Sequence, residues 1–299
     1  MKIVGVDFSS APSARKPITI AVAQLTAPAS ATTQSSAIVH VTAHLRLPTL
    51  DAFERWLAIS DAWVAGFDFP FGLARAFLRA QDWGVLGDPM TPQPTWADLT
   101  LRLAALSRFE LVARCRAWTA GRPVGDKFAH RVTERPAGSS PAMKWVNPPV
   151  VLMLHAGAPR LLAAGVTLPG LHQGDPARIA LEAYPGMLAR QVVGRRSYKS
   201  DDPRKNDVAR RVAREDIMAA VESGRHALEI AVEFAEGLRQ PCLEDASGDT
   251  LDAVLCAVAA AWGWRRRDRN FGLPADVDPL EGWIVGADPE RGPSSDSLL

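Results

Sequence analysis

The amino-acid sequence predicts an α/β fold built on a mixed β-sheet, with a helical insertion between the fourth and fifth strands. Three observations lead to this prediction. Short apolar runs fill the N-terminal part, helical patterns dominate residues 71–175, and strand character resumes at 179–184. At 299 residues the chain is long enough for one large domain or two ordinary ones. We predict a single domain over residues 1–287, with the insertion at about 71–175 and a flexible tail at 288–299.

The N-terminal part predicts three strands in succession. Residues 3–6 are apolar apart from Gly5, and the run ends at Asp7. A glycine inside a strand marks a point where a neighbouring backbone can come close. Residues 17–23 and 38–47 predict the second and third strands. The short connections between them favour an antiparallel meander.

A helix and a fourth strand complete this first unit. Alternation in the third strand places Leu45 on the same face as Val41. Residues 50–59 have apolar positions at helical spacing, and 62–69 is a fourth apolar run with Asp68 near its end. The order is therefore β-β-β-α-β. A crossover connection can lay the fourth strand parallel to the first.

The rest of the chain is mostly helical. In the insertion, helices are predicted at 73–80, 96–106, 109–120 and 150–164. A loop rich in Pro, Gly and Ser lies at 121–149, and loops of that length are usually functional or disordered. In the C-terminal part, helices are predicted at 202–222, 227–238 and 249–264, with a late strand at 281–285.

Composition excludes several classes of protein. The formal net charge is +1, so any surface that attracts nucleic acid must be local. The 3 cysteines are far apart and odd in number, which argues against a disulfide framework or a zinc site. No signal-peptide pattern and no apolar run of membrane-spanning length is present. We therefore expect a cytoplasmic protein without a membrane partner; the sequence leaves its oligomeric state open.

Acidic residues recur at structurally comparable positions. Asp7 and Asp68 lie at the ends of two strands that the predicted topology makes neighbours. Asp249 and Asp252 open the last helix, about 60° apart around its axis. Small residues beside them would let this helix approach another element closely. An acid in a first helical turn also has an ordinary explanation, because capping and the helix dipole both favour it there.

If this helix docks against the strand ends, four carboxylates converge. Like charges that close repel and raise one another's pKa, which divalent cations can relieve. Hard oxygen ligands suit Mg²⁺ or Mn²⁺ rather than zinc. Two such ions about 4 Å apart serve in-line attack on a phosphodiester. The acids therefore predict a metal-dependent phosphodiester hydrolase.

Several motifs add a family resemblance. The β-β-β-α-β start, its two strand acids and the D-x-x-D helix followed by Ala-Val-Leu resemble the ribonuclease-H-like superfamily, and most of all its Holliday-junction resolvase branch. Five short motifs are spread over nearly the whole chain: VGVDFS at 4–9, GFDFPFG at 66–72, EAYP at 182–185, GRRSYK at 194–199 and EGWI at 281–284. Together they resemble domain-of-unknown-function family 429, whose members are described as predicted nucleases.

The resemblance implies a set of site residues. By position, the implied metal ligands are Asp7, Asp68, Asp249 and Asp252, with Mg²⁺ or Mn²⁺ as the cofactor. Glu182, where strand character ends, is a further catalytic candidate. Lys199 ends the GRRSYK motif and could meet a scissile phosphate or replace the charge of a metal. The candidates for binding a DNA or RNA substrate are Arg131 in the long loop, Arg195, Arg196 and Lys199.

Two other functions stay open. An actin-like or sugar-kinase-like phosphotransferase shares the strand order and an Asp close to Ser, but normally needs a second lobe with its own phosphate-binding turn. A non-catalytic module could hold nucleic acid with the basic strip at 190–214, where Asp201, Asp202 and Asp207 also allow a salt-bridged, exposed helix.

Overall fold

A mixed β-sheet forms the centre of the protein. The computed structural model describes residues 1–26, 37–85 and 92–290, and these contain a seven-stranded sheet in the order β5-β6-β4-β1-β2-β3-β7. The strands are β1 (Lys2–Asp7), β2 (Ile18–Thr26), β3 (Ala37–Leu47), β4 (Trp63–Phe67), β5 (Val166–Thr167), β6 (Asp175–Glu182) and β7 (Ile230–Phe234).

The pairing of the strands confirms the predicted N-terminal unit. β1, β2 and β3 form an antiparallel meander, and β4 lies parallel to β1 with Val6 opposite Phe67. β6 continues the parallel side beyond β4, with Phe67 opposite Glu182. The carboxyl ends of β1, β4 and β6 therefore meet at one edge of the sheet, where ligands commonly bind in open α/β sheets.

Most of the predicted helices form, with clear local signals at several starts, and three further helices at 134–137, 185–193 and 239–244 were not predicted. They are α1 (Leu50–Leu57), α2 (Arg75–Ala80), α3 (Trp96–Ala104), α4 (Arg108–Thr119), α5 (Glu134–Ala137), α6 (Val150–Ala163), α7 (Pro185–Val193), α8 (Val208–Glu222), α9 (Arg239–Glu244) and α10 (Asp249–Arg265). The side chains of Thr95 and Ser107 form capping boxes at the starts of α3 and α4. Such caps satisfy backbone N–H groups that have no partner within a helix.

Each face of the sheet buries its own apolar core. One core lies under α1 and the insertion helices and includes Val4, Val6, Phe67 and Trp96. The other lies under α7, α8 and α10, which is buried almost all round. The insertion is therefore packed onto the sheet. The structure does not test the predicted boundary at residue 287, and most of the predicted tail lies outside the described residues.

Two glycines let α10 lie directly on the sheet. A Cβ atom at Gly5 would stand 1.8 Å from the carbonyl oxygen of Ala253, and one at Gly66 would stand 2.3 Å from that of Cys256. Neither approach is possible with any larger residue. The predicted close approach at the glycine in β1 and at the small residues of α10 is therefore confirmed. It brings the first turn of α10 to the ends of β1 and β4.

Two predictions are wrong: the helix at 227–238 and the face of the third strand on which Leu45 lies. Residues 227–238 do not form a helix: β7 lies there as an edge strand paired with β3, because Ile230 and Val232 alternate into the core. Leu45 does not share a face with Val41. A β-bulge in β3 opposite Val22 reverses the alternation, so Leu45 packs against the other core.

The ends of other predicted elements also shift. The helix predicted from residue 202 begins at Val208, because the side chain of Asp207 caps it by accepting a hydrogen bond from the backbone N–H of Arg210. The late strand at 281–285 is reduced to a single bridge between Ile284 and Glu182. Within the described ranges, no helix combines the length and the apolar content needed to cross a membrane.

Candidate metal centre

Three carboxylates meet where the strands end. Asp7 is the last residue of β1, Asp68 directly follows β4, and Asp252 lies in the first turn of α10. The backbone N–H of Asp68 donates to the carbonyl of Val6, which locks the two strand ends together. One oxygen from each of the three carboxylates lies within 4.8 Å of the others. The parallel pairing and the close docking of α10 thus bring these three predicted ligands together.

The two strand acids are costly to ionise in the protein when no cation is bound. Asp7 is 9% exposed, and no hydrogen bond within residues 1–26, 37–85 and 92–290 ends on the side-chain oxygens of Asp7 or Asp68. Burial, and then the carboxylates of Asp249 and Asp252, raise the pKa of Asp7 well above its usual value. Burial likewise raises the pKa of Asp68 to about 7, although Lys199 opposes the shift. Buried oxygen donors of this kind fit a hard divalent cation.

Asp249 occupies a neighbouring position. It is the first residue of α10, is 6% exposed and faces the same cleft, but lies outside the group of three. Burial raises the pKa of Asp249, and the nearby ammonium of Lys16 opposes the shift. The structure therefore brings Asp249 beside Asp7 without placing it in the same cluster of ligand atoms.

Both oxygens of Asp252 already have partners inside the protein. The hydroxyl of Tyr198 donates to Oδ1 at 2.6 Å, and the ammonium of Lys199 donates to Oδ2. Burial by itself lowers the pKa of Lys199, but Asp252 and the neighbouring acids raise it well above its usual value. Lys199 therefore carries a positive charge beside the carboxylates. This position fits the prediction that Lys199 could replace the charge of a metal.

Glu182 and Arg131 form a buried ion pair beside this cluster. The guanidinium of Arg131 donates to both oxygens of Glu182, at 2.5 and 2.8 Å, and to Glu134 at 2.9 Å. The backbone N–H of Phe71 also donates to Glu182. Burial lowers the pKa of Arg131, but Glu182 and Glu134 outweigh this effect and raise it. Arg131 and Glu182 therefore bind each other, and this ion pair links the loop at 121–149 to the end of β6.

An open cleft gives access to the carboxylates. Its volume is about 1080 Å³, and its walls come from the loop after β1, the insertion around residues 139–153 and the segment 184–201. Asp7, Asp68 and Asp249 lie along it, whereas Asp252 is fully buried behind them. Cationic side chains also line the cleft: Lys16, Arg108, Arg131, Arg190, Arg195, Arg196 and Lys199. An acidic floor with cationic walls suits a substrate that carries phosphate groups.

Most of the basic strip at 190–214 is paired with acids. Arg196 lies 2.8 Å from Asp216, and both are about half exposed. Within α8, Arg211 pairs with Glu215 one turn away. Arg195 and Arg196 both line the cleft, as their predicted role requires. The strip therefore combines the two alternatives, a salt-bridged exposed helix and a cationic wall.

Sequence reasoning missed the contact that Tyr198 makes, although Tyr198 lies in the GRRSYK motif, and it missed a buried polar residue next to Asp7. The contact of Tyr198 with Asp252 had no sequence signal, because 54 residues separate the two along the chain. Thr19 lies opposite Asp7 on β2, which places both side chains on one face of the sheet. Its hydroxyl is buried and has no hydrogen-bond partner among the described residues. Strand alternation can place such a residue, but only the register identifies its neighbour.

The unpartnered hydroxyl of Thr19 leads to a stability prediction. Thr19→Val should raise the free energy of unfolding by about 1 kcal/mol. The substitution removes a buried hydroxyl that has no hydrogen-bond partner among the described residues, and valine is a residue that β-strands favour. Urea unfolding at constant m-value measures the change. Thr133→Val is the matched control. Its hydroxyl accepts a buried hydrogen bond from Ile284 at 2.9 Å, so it should lose about 1–3 kcal/mol. A loss of stability in Thr19→Val would contradict the prediction.

The raised pKa of Asp68 predicts that the metal-free protein loses stability as pH rises. An acid with a pKa of about 7 in the folded state and 3.8 in the unfolded chain opposes folding increasingly between those values. In chelator, Asp68→Asn should therefore be more stable than the parent at about pH 8, and this advantage should shrink by about pH 5. Urea unfolding at both pH values measures it.

Asp61→Asn is the control for this experiment, because the side chain of Asp61 is 69% exposed and pairs with Lys2 on the surface. Its effect on stability should be small and similar at both pH values. If Asp68→Asn also changes stability by the same amount at both pH values, the prediction is wrong. The carboxylate of Asp68 would then ionise as easily in the folded protein as in the unfolded chain.

Comparisons with known proteins do not add to this description. No protein-family model, curated protein or solved structure matches the chain. The fold itself belongs to the α/β class, with helices on both faces of a mixed sheet. The family resemblance of the motifs stays a prediction.

Proposed function

We propose that the protein is a metal-dependent phosphodiester hydrolase of ribonuclease-H-like fold. The observation that carries this proposal is the convergence of Asp7, Asp68 and Asp252 from three separate elements. Among the residues that the structure describes, the side-chain oxygens of the first two accept no hydrogen bond. The strand order β3-β2-β1-β4-β6, antiparallel at first and then parallel, supports the choice of fold. Within this class we propose a nuclease that acts on DNA or RNA.

The residues have defined tasks in this proposal. Asp7 and Asp68 would hold a divalent cation, Mg²⁺ or Mn²⁺, and Asp249 and Asp252 flank them. Such an ion lowers the pKa of a bound water and offsets charge on phosphate oxygens. The oxygen of water would bond to phosphorus and give up a proton to solvent, while the bond to the leaving oxygen breaks and that oxygen takes up a proton from solvent. Lys199 lines the cleft and would offer a positive charge to the substrate phosphate.

The cationic walls support a polyanionic substrate. Lys16, Arg108 and Arg195 lie along the cleft on different segments, so several phosphates of one strand could be contacted. The guanidinium of Arg108 also donates to the carbonyl of Ser10 at 3.0 Å, which holds the loop after β1. The phosphotransferase alternative has less support, since the described strands form one sheet with a single β1–β2–β3 meander.

Cleavage assays test the proposal directly. End-labelled single- and double-stranded DNA and single-stranded RNA are incubated with the protein and Mg²⁺, Mn²⁺ or EDTA. We expect shortened products with either metal and none with EDTA. Binding or turnover of ATP in Mg²⁺, without cleavage of any oligonucleotide, would support the phosphotransferase. Retention of nucleic acid without cleavage under any metal would support the binding module instead.

A further inference from the structure

Asp252 differs from the two strand acids in what its oxygens contact. Oδ1 accepts from the hydroxyl of Tyr198, and Oδ2 accepts from the ammonium of Lys199. The oxygens of Asp7 and Asp68 have no such partners in the part of the chain that the structure describes. Asp252 is also fully buried and does not face the cleft, whereas Asp7 and Asp68 do. The three carboxylates are therefore close together but not equivalent.

The position of Lys199 is built into the fold. The buried guanidinium of Arg214 donates to the carbonyl of Tyr198 at 2.7 Å and to that of Leu243 at 2.8 Å. The backbone N–H of Ser200 donates to the carbonyl of Ala246 at 2.9 Å. A Cβ atom at Gly248, directly before α10, would stand 2.8 Å from the Cβ of Lys199. The segment that carries Lys199 is thus fixed against the start of α10 on both sides of this residue.

We propose that Lys199 is a resident cation of the carboxylate cluster, so that the site takes one divalent ion, on Asp7 and Asp68, instead of two. This inference rests on the proposed function and specifies its chemistry. A second divalent ion on Asp252 would have to displace the ammonium or lie beside it. At a separation of about 4 Å two positive charges repel strongly in a partly buried site.

A fixed ammonium also gives the site a different character from a second metal. It contributes a single point charge that needs no loading, and it cannot activate a second water. Because Lys199 lines the cleft as well as binding Asp252, its charge is available to the substrate phosphate. The site therefore pairs one exchangeable cation with one permanent cation.

Counting bound ions tests this proposal without an activity assay. Isothermal titration with Mn²⁺, checked by electron paramagnetic resonance of the bound ion, gives the number of ions per chain. We expect one ion for the parent protein and a weakened site in Asp68→Asn. Lys199→Met should bind a second ion, or bind the first about tenfold more tightly or better, because the competing charge is gone. Lys205→Met, an exposed lysine six residues further on, should match the parent.

A second variant separates charge from packing. Lys199→Gln keeps a hydrogen-bond donor for Asp252 but no charge, so it should show the same gain as Lys199→Met. Two ions in the parent, or unchanged number and affinity in both folded variants, would overturn the inference while leaving a metal-dependent hydrolase in place. Failure of the parent to bind any Mn²⁺ would overturn the proposed function and, with it, this inference.

Discussion

Asp7→Asn should reduce metal-dependent cleavage by about a thousandfold, a rise of about 4 kcal/mol in the activation barrier. The carboxylates of Asp249, Asp252 and Asp68 all raise the pKa of Asp7, so each of them is close enough to interact with it. Asparagine has nearly the same shape but no charge, so it can hold a divalent cation only weakly. The measurement is the initial rate on the preferred oligonucleotide in saturating Mn²⁺.

The same variant should not lose stability when metal is absent. The acids around Asp7 and its burial oppose its ionisation, so a neutral side chain removes a repulsion. The parent should gain about 2.7 kcal/mol of stability at a Mn²⁺ concentration a hundredfold above Kd, and Asp7→Asn should gain much less. Asp61→Asn serves as the exposed control in both assays. Full cleavage activity in folded Asp7→Asn would rule out the proposed metal centre.

Arg131→Met should destabilise the protein by about 3–5 kcal/mol. The substitution keeps much of the side-chain volume but leaves the carboxylates of Glu182 and Glu134 buried without their counter-ion. Glu182 is 3% exposed and Glu134 is 1% exposed, so water cannot replace the guanidinium. The carbonyl of Glu281 also loses a hydrogen bond of 2.8 Å from Arg131. The free energy of unfolding from urea titration measures the loss.

A matched control distinguishes this buried network from an ordinary ion pair. Arg211→Met removes an arginine of α8 that is 53% exposed and pairs with Glu215, and it should cost less than about 1 kcal/mol. Glu182→Gln should lower stability but leave Mn²⁺ binding in place, because both oxygens of Glu182 already accept hydrogen bonds. Similar small effects for Arg131→Met and Arg211→Met would mean that the buried pair is dispensable.

Local pattern explains why much of the sheet could be predicted. Apolar runs with acids at their ends marked β1 and β4, and helical spacing marked α1 and the insertion helices. The same reasoning failed where tertiary contacts overrule local preference. Edge pairing with β3 makes residues 230–234 a strand, and a single bulge moves Leu45 to the other face. Neither the partner strand nor the bulge leaves a signal in the sequence nearby.

For the metal centre, local residue types determined which carboxylates could meet. Gly5 and Gly66 allow α10 to touch the sheet, and the acids at the strand ends and in the first turn of α10 then face one another. Only the tertiary structure decided how each acid is used. Lys199 reaches Asp252 from 53 residues away, and Arg131 reaches Glu182 across 51. Periodicity describes neighbours within a helix or strand, whereas such ion pairs depend on how distant segments are packed together.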